Sequence, residues 1–207
     1  MRGESIRLPA PRLAGSVTVE EALSYRRSTR TFHPTPLTLE QVGQLLWAGQ
    51  GISSTGRRTA PSAGATYPAY LYLVTGPRCV EGVEAGVYRY DPFDHALIGV
   101  LARDVRGSLA RAALDQHFIE EAPVSIAIVV DYSRTTRHYG ERGIRYVDME
   151  AGHIAENLHL QAEALKIGTV VVGAFVDSQV SKVLSLPRGI TPLVIMPFGL
   201  PRNAGLR

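Results

Sequence analysis

The chain has 207 residues, 45% of them hydrophobic and 20% charged, with a formal net charge of +3. That length suits one α+β domain, and that apolar share excludes a chain disordered throughout. The excess charge is arginine, gathered near Arg26–Arg30, Arg57–Arg58 and the C-terminus. It is too small for a nucleic-acid protein and suits a phosphorylated small molecule, because a guanidinium fork donates two hydrogen bonds to a phosphate at once.

Residues 1–17 read as an extended arm, since Pro9 and Pro11 oppose helix, ahead of a single domain over 18–207. The arm has no apolar segment of signal-peptide type, and no run in the chain is long enough to span a bilayer. Thr18 and Glu21 form a capping box that starts a first helix, with Leu23 and Tyr25 on one face. A second box, Thr38 and Gln41, starts a helix whose stripe is Val42, Leu45 and Leu46, ending near Gly49 and Gly51. Residues 52–68 carry no period and are rich in small and turn-forming residues, so a long functional loop is expected.

Tyr70–Val74 reads as a strand, and Val87–Tyr90 with Ala96–Val100 reads as a hairpin turning at Asp91–Asp94. A helix is expected from Asp104 to about Gln116. Val124–Val130 is almost wholly apolar and predicts a central strand covered on both faces. Val147, Ala151, Ile154, Leu158, Ala162 and Leu165 recur at helical spacing, which predicts the longest helix over about 146–165, stopped by Gly168. Thr169–Val172 reads as a short buried strand. Asp177 is expected to cap a helix ending before Pro187, and Leu193–Met196 to form the last strand, with Pro197–Gly199 turning into a basic tail.

The single cysteine, Cys79, forms no disulfide within the chain and fits a reducing cytoplasm. No Gly-x-Gly-x-x-Gly follows a strand and the elements do not alternate regularly, which disfavours a doubly wound dinucleotide domain. His153 and His159 are six apart on the long helix and share no face, so they read as core or surface residues rather than metal ligands.

Three segments carry candidate chemistry. Arg26-Arg27-Ser28-Thr29-Arg30 is a dense set of cations and hydroxyls at a helix end. It is either an anion site or a helix terminus neutralised by arginines. Ala60–Pro68 is built of small residues that let backbone amides approach a flat ligand, or is a plain connection. Val172-Gly173-Ala174-Phe175 is either a ligand-facing turn or a tight strand exit.

Taken in order, these segments resemble the nitroreductase superfamily. Ser62–Pro68 has the form typical of its SagB-type dehydrogenases, as do Leu45–Ala48, Tyr88–Pro92, Tyr139–Gly143 and Glu150–His153. The resemblance covers Val19 to Pro201. It implies a central, mostly antiparallel sheet flanked by helices, with the long helix at the interface of a homodimer and FMN between the subunits. Arg26 would pair with the phosphate, Arg27 and Ser28 would meet the ribityl chain and ring edge, and Arg30 would lie near N1 and O2. Pro61, Ser62, Ala63, Gly64 and Ala65 would contact flavin bound mainly by the partner. Gly173 and Ala174 would present backbone at N5, and Arg202, with Arg207, would complete the phosphate site.

The resemblance further implies hydride transfer in alternating half-reactions, from NAD(P)H or an organic donor to a nitroaromatic, quinone or similar acceptor. Ala65 stands where general nitroreductases carry asparagine, which supports the SagB-type branch. A Lys-Tyr pair is assigned to proton removal in azoline oxidases of that branch; the matching positions are Arg145 and Tyr146. Arginine is a poor base, which weighs against azoline oxidation on modified peptides, the alternative reading. A flavin-binding protein without its own substrate is a third.

Overall fold

The computed structural model describes residues 5–202. Its strands are β1 (Ser5–Arg7), β2 (Ala69–Thr75), β3 (Gly86–Asp91), β4 (Ala96–Leu101), β5 (Val124–Val130), β6 (Gly168–Thr169) and β7 (Thr191–Gly199). They form one sheet in the order β1-β4-β3-β2-β5-β7-β6, every pairing antiparallel. The helices are α1 (Val19–Tyr25), α2 (Leu39–Gln50), α3 (Arg106–Ala112), α4 (Phe118–Glu121), α5 (Tyr132–Tyr139), α6 (Arg142–Ala164) and α7 (Asp177–Val183).

Side chains alternate across a strand, and here both faces are buried. Leu71, Leu73, Ile126 and Ile128 join the cluster under α2 and α6. Their neighbours Tyr72, Val74, Ala127 and Val129 join a second cluster under α3 and α7. Each buried Leu, Ile or Val of this kind contributes about 1.5–3 kcal/mol. The long helix lies in the first layer with Val147, Ala151, Ile154, Leu158 and Ala162 against the sheet.

Both capping boxes form: Thr18 and Thr38 accept from the N–H of Glu21 and Gln41, whose side chains accept from the cap N–H in return. The arm is extended at β1, which pairs with β4, and Leu8 is buried. Other expectations need correction. Leu23 and Tyr25 face outward, and α1 buries Ala22 instead. The helix expected to reach Gln116 stops at Ala112, because Leu114 and Asp115 take left-handed φ of 58° and 57°. The long helix starts at Arg142, so Arg145 and Tyr146 lie in its first turns rather than before it. Beyond Thr169 the strand gives way to an isolated bridge at Val172, with Val171 exposed. Val176, not Asp177, occupies the cap of α7. Pro197–Gly199 belong to β7 rather than a turn.

Candidate functional site

The arginine segment leaves α1 at Arg26 and runs beside β6. Ser28 bridges Thr169, and the Thr29 N–H donates to the Thr169 carbonyl at 2.8 Å. A Cβ on Gly168 would stand 2.7 Å from Thr29 Cγ2, so only glycine admits this approach. From the other side, the His33 N–H donates to the Leu200 carbonyl (2.8 Å) and the Arg202 N–H to that of Thr31 (3.1 Å). These backbone pairings bring the Arg26–Arg30 segment, Gly168–Thr169 and Arg202 into one strip. Arg207 lies outside the described residues.

Glu156 lies 3.8 Å from Arg26 Nε. Buried beneath, His159 Nε2 lies 3.2 Å from the Arg27 carbonyl oxygen. A nitrogen facing a carbonyl must carry the proton, so Nε2–H is the donor. Burial pushes the pKa of His159 down, so the ring stays neutral under the cations. Gly173 and Ala174 follow Thr169 by four and five residues and are exposed. No atom lies within 4 Å of where a Gly173 Cβ would be, and the Ala174 carbonyl accepts from Gln116 Nε2 at 2.9 Å.

A second group forms over the N-terminal half of α6. Pro61, Ser62, Ala63, Tyr146, Glu150 and His153 line an open cavity of about 270 Å³, together with Met149. The loop turns at Gly64 (φ 58°) and Ala65 (φ 52°). It is pinned by the Tyr67 N–H donating to Ser62 Oγ (2.9 Å) and by the Thr66–Thr135 hydroxyl pair (2.8 Å). Tyr146 packs edge-on against Tyr139, ring centroids 5.2 Å apart. Arg145, the next residue, is exposed and is not among the residues that line this cavity. Within one chain the two groups sit at different levels of α6, one near Tyr146–His153 and the other near Glu156–His159.

Glu150 belongs to the Glu150–His153 motif of the sequence, which gave it no site role. It is 2% exposed, accepts from Gln50 Nε2 at 3.4 Å and is hydrogen-bonded by the Ser62 hydroxyl. Burial pushes its carboxyl above the ordinary range, opposed by Ser62, Gln50 and the more distant Arg134 and Arg58 charges. The signal was available: position 150 shares a helical face with Val147 and Ile154, so a carboxylate there had to be buried.

The sequence profile of the Nitroreductase family matches residues 23–200. The chain belongs to the nitroreductase family. It is 43% identical over 198 residues, 95% of this chain and 98% of the other, to a Methanocaldococcus jannaschii protein named "Putative nitroreductase MJ1384". The Escherichia coli microcin B17-processing protein McbC is 30% identical over 148 residues, covering 69% of this chain and 54% of McbC. The Vibrio harveyi NADPH-flavin oxidoreductase is 24% identical over 192 residues, 89% of this chain and 65% of that protein. Among solved structures, a nitroreductase-like protein of Ralstonia eutropha superposes with a TM-score of 0.84 at 30% identity, over 96% of this chain and 90% of that one. The family is one of oxidoreductases, and the seven-stranded antiparallel sheet with its helices is its fold. No helix among the described residues is long and apolar enough to cross a membrane.

Proposed function

We propose that the chain is an FMN-dependent oxidoreductase working as a homodimer, taking hydride from NAD(P)H or an organic donor and passing it to a small acceptor such as a nitroaromatic or quinone. The observation that carries this reading is the strip formed by Arg26–Arg30, Gly168–Thr169 and Arg202 in a chain of this family. Its donor set suits a phosphate: several arginines, on one backbone segment and the strand that runs beside it, which donate bidentate hydrogen bonds. In this reading Arg26 and Arg202 hold the phosphate, Arg27 and Ser28 the ribityl chain and ring edge, and Arg30 the N1–O2 edge. Gly173 and Ala174 leave room for a flat ring, since nothing crowds the Gly173 Cβ position. When bound, the flavin accepts and donates hydride at N5. The chain's own part is to bind it, to favour its reduced anion with Arg30 and to exclude water.

Two subunits are proposed because the two groups of residues lie apart along α6 within one chain. The apolar stripe of α6 is consumed by its own core, so the contact surface is its other face. There Ile144 and Met149 are exposed, and Gly152 has open space where a Cβ would stand. Exposed apolar groups beside a small residue suit close helix approach. In the dimer, Pro61–Ala65 of one subunit would face flavin held by the other. A reducing cytoplasmic setting fits the single Cys79.

Likeness to McbC favours one second reading, oxidation on a modified peptide, in which Tyr146 beside Pro61–Ala63 would handle the proton. Arg145 cannot serve as its basic partner.

The test is to identify flavin released by heat, then titrate the protein anaerobically with NADH and NADPH and supply menadione or a nitroaromatic. The expected result is FMN, bleached by donor and restored by acceptor. FAD, or no flavin after reconstitution, refutes the reading, and bound FMN that no donor reduces leaves a binding protein. Light scattering of the flavin-loaded protein should give a dimer, and a loaded monomer refutes the shared site.

A further inference from the structure

Arg58, half of the Arg57–Arg58 pair in the sequence, is not used by the flavin reading. It lines a cavity of about 200 Å³ with Tyr67, Tyr70, Tyr90, Phe93 and Arg134, where the 52–68 loop meets the β3–β4 hairpin. The Arg58 guanidinium lies 4.8 Å from the Phe93 ring centre and 5.4 Å from that of Tyr67. Its Nη1 donates to the Gln50 carbonyl at 3.1 Å. Arg134 Nη1 donates to the Tyr70 hydroxyl at 2.9 Å.

Among the described residues, neither guanidinium has a carboxylate within ion-pair distance. Arg89 lines the same cavity, and so does one carboxylate, Asp91. Asp91 Oδ1 is engaged by the N–H groups of Phe93 (3.0 Å) and Asp94 (3.5 Å). Three guanidiniums therefore face one carboxylate that is already committed to a turn.

This arrangement is costly as it stands. A half-buried cation without a counter-ion has lost hydration for no ionic partner. Burial lowers the proton affinity of Arg58; Tyr90, Tyr67 and Asp91 oppose this in part, and the Arg134 charge adds to it. The loop that carries Arg58 also holds Ala65 and Tyr67 at left-handed φ of 52° and 45°. Non-glycine residues kept in that region mark binding sites more than plain connections. An anion relieves the charge, and aromatic walls select a flat one. Size narrows the class further: an apolar cavity of about 150 Å³ holds benzene, so about 200 Å³ accommodates one substituted ring and no dinucleotide.

We propose that this cavity binds a small aromatic carboxylate, with the ring among Tyr67, Tyr70 and Phe93 and the carboxylate between Arg58 and Arg134. The site is separate from the flavin strip, and its occupancy does not depend on the flavin reading.

Calorimetry and saturation-transfer NMR of the purified protein with benzoate, and with benzamide as its neutral isostere, test this. Benzoate should bind saturably and benzamide at least tenfold more weakly. Arg134→Gln at the exposed rim and Arg58→Gln within should each raise the benzoate Kd about tenfold, or about 1.4 kcal/mol, with thermal unfolding of Arg134→Gln unchanged. Visible absorbance is recorded in parallel to separate any contact with bound flavin: the isotherm of this cavity should be the same with and without flavin. Lack of saturation at millimolar benzoate, equal affinity for benzamide, or binding undiminished in both variants overturns the proposal. A preparation without flavin would sink the functional reading while leaving this isotherm standing.

Discussion

Glu150→Ala and Glu150→Gln offer the sharpest test of how the loop over α6 is held. The carboxylate accepts from Gln50 Nε2 and the Ser62 hydroxyl inside a site 2% exposed, and Ser62 in turn accepts from the Tyr67 N–H. Alanine leaves buried donors without an acceptor, which costs about 1–3 kcal/mol. For a chain of this length each kcal/mol moves Tm by roughly 2–4 °C, so a fall on the order of 2–12 °C is expected. Glutamine keeps one acceptor and should stay within about 1 kcal/mol of the parent near pH 5. The sign of the pH effect follows from the raised pKa. Above the unfolded value of about 4.3 the folded chain holds its proton longer than the unfolded one, so stability falls as pH climbs through the folded value. Glu150→Gln removes that loss and should gain on the parent between pH 5 and 8 by roughly a kcal/mol for each unit by which the pKa is raised. The assay is thermal unfolding of the three proteins across this range. Equal Tm for both variants, with no change in their difference from the parent with pH, would refute the buried network.

Arg30→Ala should lower the flavin midpoint potential by some tens of millivolts, since a hydrogen bond to a charged group is worth about 1.5–3 kcal/mol and about 1.4 kcal/mol equals about 30 mV for two electrons. Arg26→Ala should weaken FMN binding and leave the potential nearly unchanged; spectroelectrochemistry and flavin titration separate the two. Gly168→Ala should force apart β6 and the Thr29 segment, costing about 1–3 kcal/mol by thermal unfolding and weakening flavin retention. His95 should act as an acid-labile clip on the arm. Its Nε2 meets the Pro9 carbonyl at 2.9 Å and its Nδ1 the Tyr90 hydroxyl at 2.8 Å, and burial lowers its pKa. That stability is present above about pH 6.5 and is lost as pH falls, because the unfolded chain takes the proton first. Protection of the Ser5–Arg7 amides, taken relative to their intrinsic exchange rates, should fall below about pH 6.5, and His95→Ala should abolish that pH dependence.

The capped helices and β2 to β5 were legible because caps, alternation and continuous apolar runs are local signals. α5 was not: Tyr-Ser-Arg-Thr-Thr-Arg-His-Tyr has no apolar stripe, and its one local mark is Asp131, which accepts from the Ser133 N–H at 2.9 Å. The start of α6 was hidden by the charged residues around Glu141 and Arg142, which carry no period. β7 was read short because Pro192 and Pro197 argue against a strand interior. Pro192 sits at the register shift opposite Val129, where the ladder is already irregular. The arginine strip could be anticipated from motif order, since its members are near in sequence or at the tail. The cavity around Arg58 could not, because residues near 58, 67, 93 and 134 meet only through the sheet and the α5 turn. No local pattern encodes that meeting.

β7 is the last of the described strands to be synthesised, yet it lies inside the sheet between β5 and β6. Until Thr191–Gly199 leaves the ribosome, β5 presents an unpaired apolar edge, and Gly168–Thr169 lacks its partner strand within the sheet. A nascent chain therefore carries a sticky strand from the completion of Val124–Val130 until that of Thr191–Gly199, the situation in which folding intermediates recruit chaperones or aggregate. The same strand delivers Leu200 and Arg202 to the arginine segment. Completion of the sheet and assembly of the arginine strip are therefore one event.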